Sequence, residues 1–410
     1  MSLVVKKNTI VVFLMLIACL FLRPAALGEK FNTIAVGVLF VAAVIQYLYT
    51  RYIDRYAMKI CVYIWIFWLY IAFQSLVLAD DSASISDMIN TVISNVIASL
   101  SFAVLLSEKS IKESFLRKTI IVFSLLALSY LITLAMTFLI NNMESLYLFQ
   151  IKYAESSYST FGRVYFPFTV TYNRYMLFGR EIRRFLSIFR ECGILPVFYT
   201  YAFYQVSEVF KNKKAILFYR IMLVLGVVFS FSFAGYIAFG ASVFFYFSFK
   251  KGKTKNTIFL LFAVALGVAI MSTISDMSFA GKTMSGSLTD RMEFLPLLMD
   301  QLKNDFFFGT GYANNEGSWS IHINFIGTMT KIGAVGTVLY YLPFFANLFK
   351  SPEKKYYLAS MSAFLIITLF AQPIASQNLS NIFWFLFIPY LNESSKENGE
   401  KLVESTNKNN

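Results

Sequence analysis

Charge is scarce in this 410-residue sequence: only 14% of residues are Asp, Glu, Lys or Arg, against about 25% in an ordinary soluble domain. That shortfall, with 57% hydrophobic residues, excludes a soluble multidomain protein and places most of the chain in lipid. Cysteine is rare too. Cys19, Cys61 and Cys192 lie far apart, in or beside apolar runs, which gives neither a disulfide framework nor a thiolate metal site and leaves small packing residues. Histidine occurs once, as His322. No histidine pair can form the usual zinc site, and a Ser-His-Asp set would need His322 itself. No glycine-rich phosphate loop ends in Lys-Ser or Lys-Thr. These absences argue against metal- or nucleotide-driven chemistry, and no cofactor is expected.

What the sequence has instead is aromatic and basic. Phe and Tyr number 45 and 25, suited to helix contacts and to the belts where a bilayer meets water. The formal charge of +13 would suggest nucleic acid in a soluble protein. In a membrane protein it is first explained by Lys and Arg held on the cytoplasmic side, so no nucleic-acid partner is inferred. Runs of about 18 to 20 apolar residues cross the ~30 Å hydrocarbon core as helices. About twelve such spans are expected, near 9–26, 33–49, 60–79, 88–106, 119–140, 191–207, 215–231, 234–249, 256–274, 321–349, 356–373 and 378–391. The first, from Thr9, is read as an uncleaved span because no small-residue cleavage site precedes a soluble domain.

Basic clusters at Arg51 to Lys59, Lys109 to Lys118, Lys211 to Lys214, Lys250 to Lys255 and Lys350 to Lys355 fall on alternate connections only if the 215–249 stretch crosses twice. The chain then divides into a five-span region (1–140), a first external loop (141–190), central spans (191–274), a second external loop (275–320), C-terminal spans (321–391) and a polar tail (392–410). Both termini are expected in the cytoplasm. Loops of this length in a compact protein are more often functional than idle.

The first loop is basic on the side where the orientation rule expects no surplus. In GREIRRFLSIFRECG, Ile182, Phe185, Leu186 and Phe189 recur at helical spacing, which predicts an interfacial amphipathic helix presenting Arg180, Arg183, Arg184 and Arg190. Guanidinium forks match phosphate oxygens and stay charged, so the cluster fits a diphosphate headgroup; the alternative is arginines snorkelling to lipid phosphates. Glu191 either pairs with an arginine or joins the site. In the second loop Leu288, Met292, Leu295, Met299 and Leu302 predict a second amphipathic helix, interrupted by Pro296 and bearing Arg291 near its start. Gly309 and Gly311 then permit a tight turn. A helix of about 29 residues from Ile321 exceeds the core thickness at 1.5 Å per residue. His322 and Asn324 therefore fall at the outer water boundary, where a histidine can take a proton from a hydroxyl.

At these residues the chain resembles the bacterial O-antigen polymerase and ligase superfamily, the Wzy-like proteins. The matching pieces are FRECGILP (Arg190, Gly193, Pro196), RMEFLPLLMDQL with Arg291, GTGY with Gly309 and Gly311, and HINFIGTMTKIGAVG with His322, Asn324, Gly333 and Gly336. In FSFAGYIAFG, members often carry Ser-Arg where this chain has Ala234-Gly235. The resemblance implies a GT-C-like membrane glycosyltransferase working on undecaprenyl-diphosphate-linked oligosaccharide, alongside a flippase and a chain-length regulator. Arg190 and Arg291 would bind the donor diphosphate and His322 would orient or deprotonate the acceptor. A ligase of the same superfamily is the nearest alternative. A lipid-linked oligosaccharide flippase is the next, disfavoured because the expected spans carry almost no charge.

Overall fold

The computed structural model describes residues 3–79, 83–152, 161–177, 180–248, 295–314, 324–372 and 377–387. The expected span at 256–274, most of the second external loop and the polar tail lie outside the described residues. Five long helices open the chain: α1 (Leu3–Phe21), α2 (Gly28–Thr50), α3 (Arg55–Val77), α4 (Ile85–Leu106) and α5 (Lys109–Ile140). After a sheet, described below, come α6 (Leu195–Val209), α7 (Lys213–Phe229) and α8 (Phe233–Ser248). Further along lie α9 (Leu295–Asn304), α10 (Asn324–Lys350), α11 (Lys354–Phe370) and the one-turn α12 (Ile382–Phe385). The chain is thus mostly helical. Among the described residues α2, α3, α4, α5 and α10 from Phe325 are long and apolar enough to cross a membrane, the build of a membrane-embedded protein.

Local chemistry sets the helix ends. Asp54 accepts from the backbone N–H of Tyr56 and Ala57 and so starts α3, and Asn212 does the same for α7. The first helix stops at Phe21 instead of reaching residue 26 because Pro24 disfavours helical backbone before it. The 215–249 stretch divides into α7 and α8 at Ser230–Ser232, the division that the alternating basic connections require. Pro296 lies in the first turn of α9, where a missing N–H costs nothing.

The four basic connections among the described residues, at 51–59, 109–118, 211–214 and 350–355, gather at one end of the bundle. Asp54 N–H donates to Ser107 Oγ at 3.1 Å, Tyr56 Oη to Asn347 Oδ1 at 3.1 Å, and Arg117 to the Val209 carbonyl at 2.8 Å. The opposite end carries the largest departure from expectation. The described residues of 141–190 form no amphipathic helix; they form a four-stranded antiparallel sheet in the order β1 (Tyr147–Lys152), β2 (Phe161–Tyr165), β3 (Thr169–Leu177), β4 (Arg180–Phe185). An all-α architecture is therefore corrected to a helical bundle with a small sheet at one end. The physical reason is that β3, rich in Thr, Val and Tyr, presents an unpaired edge, and pairing with it overrides the helical periodicity of 180–189. The apolar set still reaches the core: Ile182, Phe185, Leu186 and Phe189 are all buried, delivered by a strand and a turn.

The segment 378–385 lies inside the bundle. A 3-10 turn (Asn378–Asn381) and α12 are buried throughout, against α3, α4 and α10. Several of their polar groups are matched inside the protein: Asn381 Nδ2 donates to Asn95 Oδ1 at 2.8 Å, Asn347 Nδ2 to the Trp384 carbonyl at 2.9 Å, and Leu379 N–H to the Arg23 carbonyl at 2.9 Å.

Candidate functional site

Arg190 follows the sheet and stands where the α1–α2 corner meets the chain leading into α6. The corner is zipped to it: Ala26 N–H donates to the Ile188 carbonyl at 2.8 Å, and Arg190 N–H to the Pro24 carbonyl at 3.2 Å. Glu29, in the first turn of α2 where the helix dipole favours a carboxylate, accepts from Arg190 Nη1 at 2.7 Å and lies 3.4 Å from Arg23 Nη2. Glu191 is 3.9 Å from Arg190 Nε, which is buried without a hydrogen-bond partner. Two arginines and two glutamates thus sit together at the sheet end of the bundle, with Arg190 about four-fifths buried and one donor unspent.

Directly beneath this cluster a cleft of about 90 Å³ runs between α1, α5, α6 and α12. Its walls are almost wholly apolar, among them Leu16, Leu20, Ile120, Phe198 and Phe383, and it ends at Ile188 and Phe189, the two residues before Arg190. A guanidinium at the end of a hydrocarbon-lined cleft is arranged to receive an anion carried on an apolar chain.

Arg180, Arg183 and Arg184 are spread along β4 and do not converge on Arg190. Arg180 donates to the Phe138 carbonyl at the end of α5, and Arg184 to the carbonyls of Ser230 and Phe231 at the end of α7. Each satisfies carbonyls that a helix terminus leaves unpaired. Arg183 and Arg163 both reach Glu144, at 2.9 Å each, and Tyr165 Oη donates to the same carboxylate at 3.0 Å. β4 is therefore fastened to the bundle by its arginines, and Tyr130 Oη seals the joint by donating to the Arg183 carbonyl.

Burial alone would raise the Glu144 carboxyl, yet the hydrogen bonds from Arg183 and Tyr165, with the charges of Arg183 and Arg163, outweigh it and hold it below its ordinary value. A depressed folded-state value means that the fastening is fully present above the unfolded carboxylate value of ~4.3 and is lost as pH falls through the folded one. Hydrogen exchange is expected to show residues 144–152 and 161–177 opening as pH falls below the unfolded carboxylate value. Glu144→Gln should already be loose at neutral pH and show no such transition.

Gly309 and Gly311 serve a different structure. α10 is broken at Gly333 (φ 70°, ψ 176°), and the turn Phe306–Tyr312 lies against the break. Ala334 N–H donates to the Phe306 carbonyl at 2.8 Å, Thr310 N–H to the Thr330 carbonyl at 2.8 Å, and Gly311 N–H to the Lys331 carbonyl at 3.1 Å. From α3, Gln74 Nε2 donates to the carbonyls of Phe308 and Lys331, Gln74 Oε1 accepts from Tyr312 N–H, and Tyr70 Oη donates to the Ile332 carbonyl at 2.8 Å. Backbone freed inside a membrane protein must be paired by protein, and this knot does so. A Cβ on Gly309 would stand 2.5 Å from the Lys331 carbonyl oxygen, so only glycine lets the two backbones meet.

Asn324 opens α10. His322 and Arg291 lie outside the described residues, two before Asn324 and four before Leu295. Glu29, Arg23, Glu144 and Gln74 escape a sequence reading. Only Gln74 carries a clear signal, a polar side chain inside an apolar span. Among the described residues no three His, Cys, Asp or Glu side chains gather as a metal site. Comparison with protein families, with curated proteins and with solved structures returns no match.

Proposed function

We propose that this chain is a membrane glycosyltransferase that polymerises a surface polysaccharide, joining undecaprenyl-diphosphate-linked repeats at the outer face of the bacterial cytoplasmic membrane. The observation that carries this reading is Arg190, four-fifths buried at the head of an apolar cleft, with a free Nε donor and a carboxylate partner, Glu29, that a diphosphate can replace. The clustering of basic connections at the end opposite the sheet supports a cytoplasmic side for both termini and an external side for the site. About twelve spans in a GT-C-like arrangement complete the proposal.

In this reading the acceptor hydroxyl attacks the anomeric carbon of the lipid-linked chain, His322 takes the hydroxyl proton, and the lipid diphosphate departs with the bond electrons. Arg190 and Arg291 stabilise its charge as it leaves. The test is deletion of the gene in its host, with complementation by wild type, Arg190→Ala, Arg291→Ala or His322→Ala at matched membrane levels, read as a surface-polysaccharide gel. A single repeat in place of the ladder supports polymerisation. Long chains left on the lipid carrier would mean a ligase, and single repeats trapped on the cytoplasmic face a flippase.

A further inference from the structure

One face of α4 changes character along its length. Asp87, Thr91, Ser94, Ala98, Ser101 and Leu105 follow one another three or four residues apart and so share a side of the helix. Toward the end that bears the basic connections this side is sealed, with Ala98, Ser101 and Leu105 fully buried. Toward the opposite end it is open and polar: Asp87 and, beside it, Asn90 are exposed, and Thr91 and Ser94 are half-buried. Ser84 Oγ donates to the Asp87 carboxylate at 2.7 Å, Thr91 Oγ1 to the Asp87 carbonyl at 2.8 Å, and Ser94 Oγ to the Thr91 carbonyl at 3.0 Å.

The open half leads to the arginine cluster. Ser94 is the tenth of the 22 residues of α4, about 13 Å from one end and 18 Å from the other. Asn378 Nδ2 donates to Ser94 Oγ at 3.2 Å, and the next residue, Leu379, gives its N–H to the Arg23 carbonyl at 2.9 Å. The α1–α2 corner therefore stands level with the middle of a helix long and apolar enough to cross a membrane. Yet the Arg23 side chain is 44% exposed there. A guanidinium beside the middle of a span needs water or protein around it, because hydrocarbon does not solvate the charge. With the lower half of the α4 face sealed, the polar path from Arg23 runs past Ser94, Thr91 and Asp87 to the end opposite the basic connections.

We infer that this face of α4 and the α1–α2 corner bound a water-filled recess, open at the end opposite the basic connections, through which a hydrophilic ligand reaches Arg23 and Arg190 at its floor. Ile89 and Ile93, exposed on another side of the same turns, mark where the recess stops and an apolar surface begins. The recess explains how arginines held level with the middle of a span are served from outside the bundle. On the reading proposed above, the ligand that enters is the sugar and diphosphate part of a lipid-linked saccharide; the recess itself does not depend on that identity.

The full-length chain carrying Ser94→Cys, Thr91→Cys or Ile93→Cys is expressed in bacteria, and spheroplasts are treated with a charged, membrane-impermeant thiol reagent. The native cysteines are buried, so wild type treated alike supplies the background. Only the thiolate reacts and a thiol facing hydrocarbon stays protonated, so Ser94→Cys and Thr91→Cys are expected to be modified at least about tenfold faster than Ile93→Cys. Modification of both no faster than of Ile93→Cys would overturn the recess. Modification that requires lysed membranes would place the opening at the basic end and overturn it equally. Thr91→Cys keeps the test alive should Ser94→Cys, which alters the partner of Asn378, fail to fold as judged by size-exclusion chromatography. Labelling as expected beside an intact polysaccharide ladder in Arg190→Ala would leave the recess standing and remove the polymerase reading.

Discussion

Gly333→Ala is expected to abolish the folded protein, lowering stability by more than about 3 kcal/mol, whereas Gly327→Ala six residues earlier should leave it nearly unchanged. At φ 70° and ψ 176°, Gly333 occupies backbone space that is essentially glycine's alone. A Cβ there would stand 2.2 Å from the Phe307 carbonyl oxygen, a backbone atom with no rotamer to change. Relief requires the Phe306–Tyr312 turn to withdraw, and withdrawal unpairs the N–H groups of Ala334 and Gly311 together with the carbonyls that Gln74 serves. Each group left unpaired away from water adds roughly 1–3 kcal/mol. The Cβ of Gly327 would have nothing within 4 Å. Fluorescence-detected size exclusion after a temperature ramp in detergent reads both variants, and a Gly333→Ala protein that melts with wild type would refute the knot.

Arg190→Ala is expected to remove at least about 99% of chain extension, and Arg190→Lys to keep only a small part of it, because a lysine supplies the charge without the planar fork. This variant needs a control, since truncation also strips Glu29, itself only 13% exposed, of its closest partner; breaking a buried pair by removing one member costs about 3–5 kcal/mol. Arg23, at 3.4 Å, compensates in part. The double variant Glu29→Gln, Arg190→Gln removes the unpaired carboxylate and is expected to restore the melting temperature without restoring activity. Regained activity in the double variant would reduce Arg190 to a structural partner of Glu29 and remove the foundation of the proposed site.

How legible each part was depends on the forces involved. The long apolar runs announce helices because lipid leaves the backbone no other partner, and the 215–249 division follows from charge alternation alone. The strand at 180–185 was hidden because Ile182, Phe185, Leu186 and Phe189 satisfy a helical period while the decisive pairing, with Thr171 to Leu177, is not local. Arg180 and Arg184 looked like ligand-binding groups for the same reason: the carbonyls they satisfy belong to helix ends over 40 residues away. Arg190 was legible as a residue at the mouth of a span, but its partner Glu29 lies 161 residues earlier, in a stretch that reads as an ordinary connection.

The buried C-terminal turn bears on how the protein is made. Asn381 completes its hydrogen bond with Asn95 across 286 residues, an interval that takes about 15 to 60 s at ordinary ribosomal speeds. During that time α3 and α4 stand in the bilayer with the polar seam at Asn95 unfilled, a cavity that a chaperone or quality-control protease can read as unfinished. Among the described residues the last helical turn to be synthesised is thus the latch that closes the oldest part of the fold, and messages truncated shortly before Asn378 should yield spans that insert but are then degraded.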